Sequence, residues 1–248
     1  MTEDELKAFG RRIVEYCDKF DVPLKYLFQI LEDQKVTPMI RGKAMEYNAL
    51  LLLEHLLNAD VWSVQKLNLN PQPGTEDEDI SVTHRRTGRI LIVESKSAVR
   101  GSMTDGVRCR ILKDIPHFKV KCHRSRSNKK LETNDAYSTD SFDVLITNPQ
   151  NAIYESGTVG EDFEVTEEPD LRTLLNDFYH VQSNADLAKA CYDDWRFCFP
   201  SEIAVGGFIP RTPYVRLEGD PIWKPIAGIE ARLNELATHR PHPASRRG

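Results

Sequence analysis

Asp79-Ile-Ser-Val-Thr-His-Arg-Arg-Thr-Gly-Arg-Ile-Leu-Ile-Val-Glu-Ser-Lys96 reads as two short strands around a turn. The runs beginning at Ile80 and Ile90 are β-rich, and Thr87-Gly88 between them is acceptable turn chemistry, so the spacing predicts a β-hairpin. Ile90 to Val93 are four consecutive aliphatic residues, the pattern of a central strand buried on both faces. A turn centred on Thr87-Gly88 pairs Val82 with Val93, Ser81 with Glu94 and Asp79 with Lys96. Side chains alternate along a strand, so Asp79, Ser81, Glu94 and Lys96 then share one face. Diagonal positions on such a face lie roughly 7 Å apart at the backbone, within reach for two carboxylates to hold one ion. Glu78 points the other way in this register, which singles out Asp79 from the acidic cluster, with Asp77 second.

Outward from the hairpin, helical spacing covers Glu3 to Phe20 and resumes near Leu24. Good helix formers run from Arg41 to about Asn58, with Glu46, Ala49, Leu50, Leu53 and Leu57 on one stripe. Val61 to Leu69 reads as extended, Phe118, Val120 and Cys122 alternate like a half-buried strand, and Phe142 to Thr147 reads as a core strand. Helices are expected again at Leu171 to Tyr179, Ala185 to Trp195 and Ile226 to Ala237, with Pro-rich extended chain around Ile209 to Leu217. Trp195 and Trp223 read as core residues, and His55 on its leucine-rich helix as a structural one. The simplest reading is one mixed α/β domain over 1–238 with helical additions at both ends, and a disordered tail at 239–248.

The chain has 248 residues, 40% of them hydrophobic, enough for a sizeable core. Its longest apolar run, Ala49 to Leu53, falls far short of the roughly 20 residues of a membrane helix. The N-terminus is acidic rather than signal-like, so the expectation is a soluble, cytoplasmic protein with no membrane partner. Five scattered cysteines without a CxxC pair indicate neither a disulfide framework nor a zinc ribbon.

The formal net charge of −5 argues at first against a nucleic-acid partner. Its distribution reverses that argument. His84 to Lys130 carries 14 Lys+Arg against 3 Asp+Glu, a net of +11, while the remainder carries 19 against 35, a net of −16. A segregated basic block suits a polyphosphate, although a solvated basic face would read the same way.

Charges that end a buried strand need a reason. Mg²⁺ takes hard oxygen ligands and keeps several waters, so Asp79 and Glu94 with a substrate phosphate suit it. The bound ion lowers the pKa of a water, and Lys96 orients that nucleophile or stabilises charge on the phosphate. The bland alternative is a surface Glu94–Lys96 pair worth under about 1 kcal/mol. Glu46, a carboxylate on an apolar stripe, needs a partner; alternatively it is a first-turn acid favoured by the helix dipole or paired with Lys43.

Asp79, then Glu94-Ser-Lys96 at the end of a hydrophobic strand, after a helix carrying Glu46, resembles the PD-(D/E)XK nuclease superfamily. The stretch Glu94 to Ser102, the Phe142 to Asn148 strand and Ile209-Pro-Arg-Thr-Pro are similar to type II restriction endonucleases within it. Glu78 stands where the motif's name has proline, which removes no ligand. The likeness covers about 41–148 and implies a restriction-endonuclease-like α/β core, a mixed central β-sheet flanked by helices, with the helical additions outside it. It implies hydrolysis of phosphodiester bonds in double-stranded DNA by a Mg²⁺-dependent, type II site-specific deoxyribonuclease. Asp79 and Glu94 would hold the metal, Lys96 would assist the attacking water, and Glu46 would be a further catalytic carboxylate near the metal. A homodimer would cut both strands of a symmetric site, and a cognate DNA methyltransferase would be a functional rather than physical partner.

For DNA contacts the candidates are Arg100, Lys119, Lys121, Arg124 and Arg126, since Lys and Arg on phosphates give most of the affinity. Arg211, held between two prolines, could read guanine or pair with Glu202 or Glu218. His84 is a further candidate phosphate contact. Two other readings compete: a repair or recombination nuclease of the same fold, and a catalytically silent DNA-binding module.

Overall fold

The computed structural model describes residues 1–33, 35–67, 79–104, 115–123, 136–155 and 164–239. The chain divides into two compact units, Met1–Ala44 and Met45–Gly248. The first holds helix α1 (Glu3–Lys19), a single 3-10 turn at Leu24–Tyr26, α2 (Leu27–Leu31) and the start of α3 (Thr37–Leu56). Thr2 caps α1 through a reciprocal capping box with Glu5, and Glu3, Asp4 and Glu5 complement the helix dipole in its first turn.

The second unit is built on a six-stranded sheet of order β1-β2-β3-β5-β6-β8. Its strands are β1 (Trp62–Lys66), β2 (Ile80–His84), β3 (Ile90–Ser95), β5 (Val144–Thr147), β6 (Arg196–Cys198) and β8 (Lys224–Pro225). β3 and β5 are parallel and every other pairing in it is antiparallel, so the sheet is mixed. β4 (His117–Lys119) and β7 (Tyr214–Arg216) form a separate antiparallel pair. Helices α4 (Pro169–Tyr179), α5 (Asn184–Asp193), α6 (Pro200–Ile203) and α7 (Ile229–His239) complete an α/β fold with seven α-helices among the described residues.

Alternation along the strands sorts the apolar side chains into two layers. Ile80, Val82, Leu91, Val93, Val144 and Ile146 pack with Ala49 and Leu53 of α3 and Leu233 of α7. Ile92 and Leu145 face the other way, onto Leu175 of α4, Leu187 of α5, and Phe118 and Val215 of the small sheet. β3 is buried from Leu91 through Ser95, as a central strand covered on both faces must be. Trp195 and Trp223 lie in the core. His55, expected to be structural, is exposed on α3.

The hairpin forms, with a register two residues from the expected one. Ile80 pairs with Val93, Ser81 with Ile92 and Val82 with Leu91. The loop is longer than a two-residue turn: the His84 amide donates to the Arg89 carbonyl (2.8 Å) and the Gly88 amide to the His84 carbonyl (2.9 Å). Gly88 takes φ of 68°, a left-handed conformation that a residue with a Cβ adopts only at a cost. The His84 imidazole shares a 2.8 Å hydrogen bond with Thr87 Oγ1 across this loop and packs on Trp62 at 4.9 Å. His84 is therefore buried in the turn rather than offered to a phosphate.

Leu53 is fully buried, whereas Leu51 on the same helix is 61% exposed. Leu53→Ala is expected to cost about 2–5 kcal/mol in urea unfolding and Leu51→Ala to stay within about 0.5 kcal/mol. Equal losses would contradict the assignment of the core-facing stripe.

Candidate active site

A shift of two residues preserves strand parity, so Asp79 and Glu94 still project from one face. One further step of the observed register sets them directly opposite each other, where the expected register set Asp79 opposite Lys96. Directly opposed side chains start from Cβ atoms about 4.5–5.5 Å apart, closer than the diagonal pair first inferred.

Local hydrogen bonds explain why the strands end here. Asp79 Oδ2 accepts the Ser95 amide (3.0 Å), and the Asp79 carbonyl accepts the Leu67 amide (3.0 Å). Past the end of β3, the Lys96 amide donates to the Ile146 carbonyl (3.0 Å) and Thr147 Oγ1 donates to the Lys96 carbonyl (2.6 Å). The parallel neighbour β5 thus fixes the backbone of Lys96.

Asp79 is 4% exposed and Glu94 2%. Burying carboxylates so completely demands compensation. The Lys96 ammonium pairs with Glu94 Oε1 and lies 5.2 Å from the centre of the Tyr137 ring, whose hydroxyl donates a long 3.4 Å hydrogen bond to the same oxygen. From β1, Lys66 bridges the other carboxylates: its Nζ lies 2.9 Å from Glu46 Oε2, 2.9 Å from the Asp79 carbonyl and 4.0 Å from Asp79 Oδ1. Glu46 has the partner that its place on the apolar stripe required, and that partner is Lys66.

Compensation at Asp79 is incomplete. Burial, reinforced by the negative charge of Glu46, raises its pKa above the ordinary aspartate value despite Lys96, Lys66 and the Ser95 amide. For Lys96 burial favours the neutral amine, but Glu94, Tyr137 and Asp79 outweigh it and hold the pKa above the ordinary lysine value. Lys96 is consequently an ammonium throughout the neutral range and serves as a charge, not as a proton acceptor. Burial pushes the Tyr137 phenol up to about 12, so it stays a neutral donor. The Cys122 thiol, also pushed up to about 12 by burial, senses both Lys96 and Glu94 and so lines the same region.

Asp79 and Glu94 supply hard oxygen donors on one face with a fixed cation beside them, and this donor set fits Mg²⁺. Lys66, Tyr137 and Cys122 escaped the reading of the sequence. Only Lys66 left a trace there, as the demand of Glu46 for a partner.

Of the expected DNA contacts, Lys119 and Lys121 are tied to the chain that leaves the site. The Lys121 amide donates to the Ser97 carbonyl (3.0 Å) and the Val99 amide to the Lys119 carbonyl (2.7 Å). Phe118, Val120 and Cys122 are fully buried between and beside them, as alternation predicts. Lys119 Nζ lies over the Tyr214 ring at 5.6 Å, and Lys121 is exposed. The carbonyl of exposed Arg211 accepts the Cys122 amide (2.8 Å), which brings that loop to the same strand. Arg100 is half-buried, following the Ser97 to Val99 segment. Arg124 and Arg126, like Asp77 and Glu78, lie outside the described residues. Among the described residues no helix is long and apolar enough to cross a membrane.

No family model, curated protein or solved structure matches the chain.

The raised pKa of Asp79 has a sign that can be tested. The native state holds this proton more tightly than the unfolded chain, so stability falls as pH rises from the ordinary carboxylate range through the native value. Asp79→Asn is expected to be more stable than the wild type in EDTA at pH 7–8, with the gap narrowing as pH drops towards about 4. Urea midpoints measure it, and an Asn variant less stable at pH 8 would contradict the account.

Proposed function

We propose that the chain is a Mg²⁺-dependent endonuclease that hydrolyses phosphodiester bonds in double-stranded DNA, of the PD-(D/E)XK type and with the site specificity of a type II restriction enzyme. The observation that carries this reading is the burial of Asp79 and Glu94 at the end of the β2–β3 pair, with the ammonium of Lys96 paired with Glu94 and its charge felt by Asp79. The order of α3, the β2–β3 hairpin and β5 agrees with the core that the sequence resembles.

When bound, Mg²⁺ acidifies a water and offsets charge on the phosphate. The chain's own groups do the rest. Asp79, just before β2, and Glu94, on β3, would hold the metal, and the Ser95 amide orients Asp79 Oδ2. Lys96, protonated at neutral pH, orients the attacking water and offsets the negative charge that builds on the phosphate. Tyr137 keeps Lys96 and Glu94 in register with one another. Lys66 supplies positive charge beside Glu46 and Asp79, so Glu46 acts through its ion pair with Lys66 on the shape of the site. Lys119 and Lys121 extend the cationic surface along the chain that leaves Lys96, towards the phosphate backbone. A silent binding module has no use for two buried carboxylates and an adjacent lysine, whose burial costs stability.

Incubation with long DNA followed by sequencing of fragment ends is expected to give Mg²⁺-dependent cleavage at one repeated short sequence. Ala at Asp79, Glu94 or Lys96 should each lower the cleavage rate by at least about 100-fold while retaining most DNA binding. Normal cleavage by Glu94→Ala would overturn the assignment, and DNA binding without cleavage by the wild type would favour the silent module.

A further inference from the structure

Helix α1 carries an apolar seam that is largely exposed among the described residues. Leu6, Phe9, Ile13, Tyr16 and Phe20 recur at alternating steps of three and four residues, the a/d spacing of a coiled coil. Leu6, Phe9, Tyr16 and Phe20 are nevertheless 55%, 54%, 57% and 55% exposed, Ile13 between them is half-buried, and Cys17 is the only residue of the helix that is buried. The rings of Tyr16 and Phe20 pack at 4.8 Å, tilted by 51°, and extend the apolar strip past the last turn. A seam of this length on a water-exposed helix calls for a partner.

We propose that α1 pairs with α1 of a second copy in a two-fold, antiparallel coiled coil. Three features select that occupant. First, antiparallel coils stack a positions on d positions, and the register that does so here sets Leu6 against the partner's Tyr16 and Phe9 against the partner's Ile13. The midpoint of that register is residue 11, which is also the midpoint of Glu3–Lys19, so the two helices overlap end to end with opposed dipoles. Second, the flanking charges are self-complementary. Glu5 falls beside the partner's Lys19 twice across the axis, against a single Arg12–Arg12 approach at the centre. A parallel pairing would set Glu5 against Gly10 and Arg12 against the buried Cys17, with no charge pair at all. Third, Gly10 lies beside the axis. Glycine inside a helix costs roughly 0.5–1 kcal/mol relative to alanine, and a Cβ built on Gly10 meets nothing among the described residues within 4 Å. A second helix crossing at that point gives the missing side chain a reason, since two glycines let the backbones approach.

Such a pairing would give the nuclease read above the second active centre that a cut through both strands of a symmetric site uses. The evidence for it comes from α1 alone, and its test reads mass rather than cleavage.

In analytical ultracentrifugation at tens of micromolar, the wild type is expected to sediment at twice the 28.4 kDa chain mass. Phe9→Glu with Tyr16→Glu is expected to sediment as a monomer with an unchanged circular dichroism spectrum, because both side chains are already more than half exposed. Glu5→Gln, which keeps the capping box, and Lys19→Gln should each weaken the dimer several-fold, and the two together should weaken it no more than either alone. A monomeric wild type would overturn the proposal, as would a dimer that survives the double Glu variant or in which the losses from Glu5→Gln and Lys19→Gln add. A failed cleavage assay beside a dimer that obeys these rules would leave this inference standing and the nuclease reading fallen.

Discussion

The hydrogen bond from the Ser95 amide to Asp79 Oδ2 is the contact around which the site is arranged. It ends the pairing of β2 with β3 and turns a would-be ladder position into a carboxylate anchored by backbone. Glu94 lies one residue before this amide, and Lys96, one after it, is carried on by hydrogen bonds to β5 instead of β2. The constraint is electrostatic. Two carboxylates less than 5% exposed must be matched by nearby cations and dipoles. Lys96 and Lys66 supply them, yet the pKa of Asp79 stays raised, so the free protein holds this arrangement at a cost in stability. An added cation would relieve that cost.

The surrounding architecture makes the arrangement possible. Apolar layers on both faces of the mixed sheet fix β3 at its centre, with α3 and α7 packed on one side and α4, α5 and the β4–β7 pair on the other. Because α3 packs on the sheet through Ala49 and Leu53, Glu46 on the preceding turn comes within reach of Lys66 at the end of β1. The β4 strand, joined to Ser97 and Val99, carries basic side chains onward from the site. Lys119 and Lys121 thus lie on backbone that is hydrogen-bonded to the chain just past Lys96, within the segment whose net charge of +11 stands out from the chain total of −5.

Much of this was legible in the sequence because it depends on period two. The hairpin, the doubly buried β3 and the shared face of Asp79 and Glu94 follow from alternation, which survives any even shift in register. The register itself was not legible. Thr87-Gly88 resembles the centre of a two-residue turn, but the left-handed Gly88 ends a four-residue loop braced by His84 and Thr87. The same loop explains why His84 is buried on Trp62 rather than free to meet a phosphate. Lys66 and Tyr137 were illegible for another reason. They reach the site from β1 and from the chain before β5, and no local spacing couples either to Glu94. Glu46 announced only that it needed a partner. The exposed strip on α1 was readable as helical spacing, whereas its openness to solvent required the packed structure.

The central claim is that Asp79 and Glu94 form a divalent-cation site. It is tested most directly by diffraction from crystals soaked in Mn²⁺, with anomalous data collected at the manganese edge. A peak between the Asp79 and Glu94 carboxylates, absent from Asp79→Asn crystals, is the expected result. Well-ordered carboxylates with no peak between them, or with Mn²⁺ bound only elsewhere on the chain, would contradict it.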